Sequence, residues 1–228
     1  MSHCRYVIGN TSNVRLCWFG GVAVALTLTL LASYYARFPG DLLFTEWVQS
    51  IALPGLGAVS EFVRQLGGPL VLALVGSLVA IAFFRAGNKL AASFLILAVV
   101  ARVSEVALKG LAERPRPPAE LVEISHRHSG FSFPSGHVLA GVLVWGFLIY
   151  LASRHVRQPR LRVGIQVASF AILILTGLQR VYAGAHWPSD VVGGYLWGVI
   201  LVVVLVWVYD QLRSRANHSA SFGRAARQ

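Results

Sequence analysis

The sequence is poor in charge, in cysteine and in acidic side chains. Charged residues make up only 13% of its 228 residues, about half the share of a soluble globular domain. A freely soluble, well-hydrated protein is therefore excluded. Cys4 and Cys17 are its two cysteines, both near the N-terminus and without metal-ligand spacing, which excludes a disulfide framework. Asp and Glu number 9 against 20 Lys and Arg. No internal repeat is present, so a stacked-repeat architecture is excluded as well.

Hydrocarbon is in excess. Hydrophobic residues reach 56% and the mean hydropathy is +0.64, values that place a single compact domain in a bilayer. The net charge of +11 would suit a nucleic-acid partner, but the cations mostly flank apolar runs, as topology signals do. Anionic lipid headgroups are the expected partners, not nucleic acid.

A transmembrane helix needs about 20 apolar residues. Six segments approach this: 16–36, 65–84, 90–108, 138–153, 163–179 and 191–209. The expectation is an all-α, six-helix membrane bundle over residues 1–212, followed by a disordered, Arg-, Ser- and Ala-rich cytoplasmic tail over 213–228. The first run resembles a signal peptide but lacks a clear small-residue cleavage site, so it is expected to be a retained anchor. With both termini inside, Arg5, Arg15, Arg85, Lys89, Arg154, Arg157, Arg160, Arg162, Arg213, Arg215, Arg224 and Arg227 fall on the cytoplasmic side, and the outer side holds fewer: Arg37, Arg64, Lys109, Arg114, Arg116, Arg127 and Arg180. Segment 41–68 is too polar to span. Leu42, Trp47, Ile51 and Phe62 suit an interfacial helical element that Pro54-Gly55 breaks in two. Gly194 and Gly198 read as a helix-packing pair. Arg102 and Glu105 share one helix face, as an ion pair or as support for a nearby site.

Three blocks carry chemistry, and this topology puts all of them on the outer face. The first runs from Lys109 to Arg116-Pro117, where Pro115 and Pro117 stop the helix and turn the chain. The second is Pro134-Ser135-Gly136-His137. Ser135 suits a helix N-cap, Gly136 permits close approach to the backbone, and the helix start favours an anion. The third runs from Arg180 to His186 and Asp190. Pro188 begins a helix, and Asp190 lies four residues beyond His186, where it can fix the imidazole tautomer and leave the other nitrogen free to attack. Lys109, Arg116 and Arg180 can together neutralise a phosphoryl transition state. No Asp/Glu cluster near the blocks could hold magnesium. His126 and His128 are expected to be loop residues, and His3, His155 and His218 to lie on the cytoplasmic side.

At these residues the sequence resembles the type 2 phosphatidic acid phosphatase family, which shares its active site with the vanadium haloperoxidases. The family pattern is Lys-x6-Arg-Pro, Pro-Ser-Gly-His, then Ser-Arg-x5-His-x3-Asp. Here Gln179 stands where the third block of the pattern has Ser, a change expected to remove or alter one hydroxyl contact to phosphate. The resemblance implies that His186 attacks phosphorus, Asp190 supports it and His137 protonates the leaving oxygen. Lys109, Arg116, Arg180, Ser135 and Gly136 would hold the phosphoryl oxygens, with no metal or cofactor. It implies a lipid phosphatase of a bacterial cytoplasmic membrane, acting at the outer face. Undecaprenyl diphosphate is favoured over phosphatidylglycerophosphate, phosphatidic acid or diacylglycerol pyrophosphate. A lipid-phosphate transferase, a haloperoxidase and a non-catalytic lipid-binding protein are the competing readings. Six spans argue against the haloperoxidase, and the intact His137, His186 and Asp190 set argues against the binding protein.

Overall fold

Apolar runs of this sequence become helices, and its prolines and glycines mark where they end. The computed structural model describes residues 11–126 and 129–225. His3, Cys4 and His128 lie outside them. Among the described residues there is no strand. The helices are α1 (Thr11–Tyr34), α2 (Asp41–Gln49), α3 (Leu56–Leu66), α4 (Pro69–Arg85), α5 (Lys89–Ala101), α6 (Ser104–Ala112), α7 (Gly136–Gly141), α8 (Phe147–His155), α9 (Pro159–Tyr182) and α10 (Pro188–Ala225). A π-helical segment, Val142–Gly146, joins α7 to α8, making one continuous helix from Gly136 to His155.

The all-α bundle is as expected, but a count of six full-length spans is not reached. Among the described residues, four stretches are long and apolar enough to cross a membrane: Lys89–Ala112, Gly136–His155, Pro159–Tyr182 and Pro188–Ala216. A fifth results if α3 and α4, bent by 52°, count as one span. Residues 65–84 do not form one straight helix, because Gly67-Gly68-Pro69 interrupts them. Pro69 starts α4, where its missing N–H costs nothing. The apolar part of α1, Trp18–Tyr34, is a shorter helix. The interfacial element is two helices, α2 and α3, separated by a break that includes Pro54 and Gly55.

The end of the chain differs from expectation. α10 continues to Ala225, through the stretch whose polar composition suggests disorder. Arg and Ala are strong helix formers, and adding a residue to an existing helix avoids the cost of nucleation.

α4, α5, α8 and α10 share a core of Leu72, Phe94, Leu95, Phe147, Leu151 and Tyr209. Asn88 caps α5 by accepting the Ala91 N–H. In hydrocarbon there is no aqueous driving force between helices, so close packing and small residues hold them together. Glycines of α10 allow that approach. A Cβ at Gly198 would lie 2.6 Å from Val142 Cβ, one at Gly193 2.3 Å from the Phe133 ring, and one at Gly194 2.8 Å from the Ser135 carbonyl oxygen. The Gly194 and Gly198 pair is thus a packing device, and it sets the start of α7 against the start of α10. Replacing Gly198 with Val should destabilise the bundle by about 1–3 kcal/mol through overpacking. It should appear as a lower melting temperature in detergent, with a larger loss than for Gly110→Val, where a Cβ meets nothing within 4 Å.

Candidate active site

The end of α9 brings Arg180 and His186 together through backbone chemistry alone. Ala185 N–H donates to the Arg180 carbonyl and Gly184 N–H to the Val181 carbonyl, the paired bonds of a Schellman motif. The motif needs a residue with positive φ, and Gly184 has φ of 63°. A side chain there would also strike the Glu123 carbonyl oxygen, 2.1 Å from an added Cβ. The His186 N–H folds back to the Arg180 carbonyl as well, at 3.3 Å. Two residues later Pro188 opens α10. Asp190, in its first turn, reaches back to accept the Trp187 N–H at 2.9 Å. This is half of a capping box, and it fixes the carboxylate beside the imidazole.

Asp190 is fully buried and densely partnered. Its Oδ1 accepts from Arg114 Nη1 at 2.6 Å. Its Oδ2 accepts the Ser132 hydroxyl and lies 3.6 Å from His186 Nδ1. Ser132 Oγ is itself 3.4 Å from that nitrogen, so the hydroxyl bridges imidazole and carboxylate. The buried Arg114 guanidinium also donates to Asp41 at 2.9 Å, to Ser189 Oγ at 2.7 Å and to the Tyr35 carbonyl at 3.1 Å. Asp41 in turn accepts the Ser189 N–H and hydroxyl. The first residue of α2 is thereby tied to the first turn of α10.

On the other side of the ring, His186 Nε2 is 3.3 Å from Arg116 Nη1. A guanidinium can only donate, so Nε2 is the accepting nitrogen and Nδ1 carries the proton toward Ser132 and Asp190. Burial pushes the His186 pKa down to about 4, outweighing the nearby Asp190, which raises it. The imidazole is thus neutral at neutral pH, with its lone pair on Nε2. Arg116 is anchored by the carbonyls of Ala185 at 2.7 Å and Gly130 at 3.0 Å.

Nε2 faces a cavity of about 120 Å³ lined by Arg102, Glu105, Lys109, Arg116, Gly136, His137, Arg180 and His186, together with Gly67, Pro69 and Ala140. The structure thus gathers Lys109, Arg116, Gly136, His137, Arg180 and His186 around one space, with Asp190 directly behind. His137 is half-buried in the wall. One Arg180 guanidinium nitrogen, Nη2, is buried without a hydrogen-bond partner. Ser135 is at the N-cap position of α7, but its side chain makes no cap bond. Its hydroxyl is buried and unpartnered, while its N–H donates to the Asp190 carbonyl at 3.0 Å. His126 is an exposed loop residue 3.3 Å from Glu61.

Residues 89–214, more than half of the chain, match the family described as the PAP2 superfamily. This chain belongs to the PAP2 superfamily. It is 33% identical over 101 residues to phosphatidylglycerophosphatase B of Bacillus subtilis, covering 44% of this chain and 48% of that protein. It is 31% identical over 117 residues to an undecaprenyl-diphosphatase of Sulfolobus acidocaldarius, covering 49% and 50%. The chain spans about half the length of these curated relatives. The fold is that of a transmembrane PAP2-type phosphatidylglycerolphosphate phosphatase crystal structure from Bacillus subtilis. The TM-score is 0.72 at 24% identity, covering 85% of this chain and 96% of that one.

Against the PAP2 signature, the structure accounts for the departure at Gln179. Its side-chain Oε1 accepts from Arg180 Nε at 2.8 Å, and its Nε2 donates to Ser60 Oγ on α3 at 3.2 Å. Gln179 lines a separate apolar groove of about 230 Å³ between α2, α3 and α9, with Trp47, Ile51, Val59, Val63 and Leu178. The Gln179 side chain thus braces Arg180 from behind. Sequence reasoning missed Arg114, Asp41 and Ser132. Arg114 and Ser132 lie within or beside signature blocks, but nothing local marks their partners.

Removing Arg114 alone would leave the Asp41 and Asp190 carboxylates buried without their shared cation. Arg114→Leu should cost about 3–5 kcal/mol of stability, visible as a large drop in melting temperature in detergent. A drop no greater than that of an exposed control such as Arg37→Leu would contradict this account of the network.

Proposed function

We propose that this protein is a membrane lipid phosphatase working through a phosphohistidine. The observation that carries the reading is the neutral, lone-pair-bearing Nε2 of His186, which faces a cavity walled by Lys109, Arg116, Arg180 and His137. His186 Nε2 attacks phosphorus, the P–N bond forms and the bond to the leaving oxygen breaks. His137, across the cavity, gives that oxygen a proton. In the second step His137 takes a proton from water, the water oxygen bonds to phosphorus and the P–N bond breaks. Ser132 and Asp190 meet the positive charge that His186 gains on attack. Lys109, Arg116 and the unpartnered Arg180 nitrogen meet the phosphoryl charge, the term that dominates this class of reaction.

The substrate is a phosphorylated or diphosphorylated lipid, with undecaprenyl diphosphate favoured. The apolar groove beside Gln179 is suited to a hydrocarbon chain. Relatives named for a diphosphate and for a glycerophosphate support the two leading substrate classes. The ends of α6 and α9 and the starts of α7 and α10 meet at the cavity. With the charge bias of the sequence, this supports a site on the outer face of a bacterial cytoplasmic membrane and cytoplasmic termini. Phosphate release in detergent from undecaprenyl diphosphate, phosphatidylglycerophosphate, phosphatidic acid and diacylglycerol pyrophosphate tests the assignment. The account predicts the highest kcat/KM on the first. Release from none of the four would refute a lipid phosphatase.

His186→Ala should abolish release while the protein still folds in the membrane; unchanged release would refute the mechanism. His137→Ala should lose least on substrates with good leaving groups, which need no donor. Equal losses across a leaving-group series would remove its role as acid.

Attack requires neutral His186, so activity is lost as pH falls through its folded-state pKa. Because burial holds that value near 4, below the ordinary 6.5 or so, kcat/KM should stay high at pH 5.5. An acid limb centred near 6.5 would contradict the buried, neutral imidazole.

A further inference from the structure

One carboxylate stands among the cations of the cavity. Glu105 is in the first turn of α6, where the helix dipole favours an acid. Its N–H bonds the Arg102 carbonyl across the α5–α6 break at 3.0 Å. Its Oε1 is 3.7 Å from Lys109 Nζ and 3.9 Å from Arg102 Nη2. Its Oε2 is buried without a hydrogen-bond partner. The carboxylate presses against Gly136: a Cβ there would lie 2.0 Å from Oε2 and 2.7 Å from Oε1.

Gly136 opens the helix that continues to His155. The first turn of a helix has N–H groups with no partner in the helix and a positive dipole end, the ordinary setting for a bound phosphate. The glycine makes a cradle there, and the side chain already lying in it is an anion of this same chain. A fixed negative charge beside an incoming phosphoryl group is repulsive, and Arg102, Lys109, Arg116 and Arg180 around it would otherwise bind phosphate tightly enough to retard product release.

We propose that Glu105 is the resident anion of the site. Before substrate enters, it occupies the Gly136 cradle and holds Lys109 and Arg102 at the cavity. The substrate phosphoryl group displaces it, and its return helps to expel inorganic phosphate. Glu105 is then a positioning residue that sets phosphate affinity, and the proposal rests on the cavity being the phosphoryl site. Arg102, paired with Glu105, becomes free to meet phosphate once the carboxylate moves.

The test is the affinity of the purified full-length protein in detergent for inorganic phosphate. It is read both by direct calorimetric binding and by competitive inhibition of turnover. Glu105→Gln keeps the size and removes the charge, and it should bind phosphate about tenfold more tightly, with a lower kcat as release slows. Glu105→Asp withdraws the charge from the cradle by one methylene and should tighten binding by a smaller factor. It carries the test if the Gln variant does not fold. Unchanged or weaker phosphate binding would overturn the proposal, because a purely structural Glu105 would only loosen the site when changed. Failure of the underlying reading is distinguishable, since it would show as turnover surviving in His186→Ala whatever the phosphate affinity.

Discussion

The arrangement around His186 depends on one buried cation, the Arg114 guanidinium forked between Asp190 and Asp41. Without it, two carboxylates in a low-dielectric interior would repel each other and pay the full cost of desolvation. With it, Asp190 is fixed from three sides by Arg114, the Ser132 hydroxyl and the Trp187 N–H. The orientation of His186 and its protonated Nδ1 follow from that position, which leaves the Nε2 lone pair directed at Arg116. The same guanidinium anchors α2, so that helix and the segment around His186 are held as one unit.

The second constraint is helix-end chemistry. A Schellman turn places His186 over Arg180, a capping interaction places Asp190, and a glycine at the first turn of α7 opens a cradle beside His137. None of these needs a flexible loop. The side chains that line the cavity sit at the ends of packed helices or in the short segments that follow them, an arrangement that would preorganise an electrostatic site. Close packing of α10 glycines on α7 then sets the distance between the His137 and His186 sides of the cavity.

These two constraints explain what could be read from the sequence. Lys109, Arg116, His137, Arg180, His186 and Asp190 were legible because proline, glycine and capping residues act over a few positions and mark helix ends directly. The break of the interfacial element at Pro54-Gly55 was legible for the same reason. Arg114, Asp41 and Ser132 were not, because their bonds join residues 58 to 76 positions apart and no local pattern encodes such a partner. Gln179 was read as a change in a phosphate contact; what no local pattern showed is that its side chain turns to Ser60 and braces Arg180. The Gly67-Gly68-Pro69 break carried the same kind of local signal but was passed over inside an apolar run, and the continuation of α10 past Leu212 was missed because composition does not set how far a formed helix propagates. Arg102 and Glu105 were recognised as a pair, but the cradle that Glu105 fills exists only once Gly136 is packed against it.

The central claim is that His186 Nε2 becomes covalently bound to phosphorus. The most direct measurement is to quench turnover of a phosphorus-labelled lipid substrate under alkaline conditions and locate the label on the protein by mass spectrometry. The account predicts an acid-labile, base-stable phosphoryl group on His186. Label on any other residue, or turnover at full rate with no phosphorylated protein in the burst phase, would contradict it.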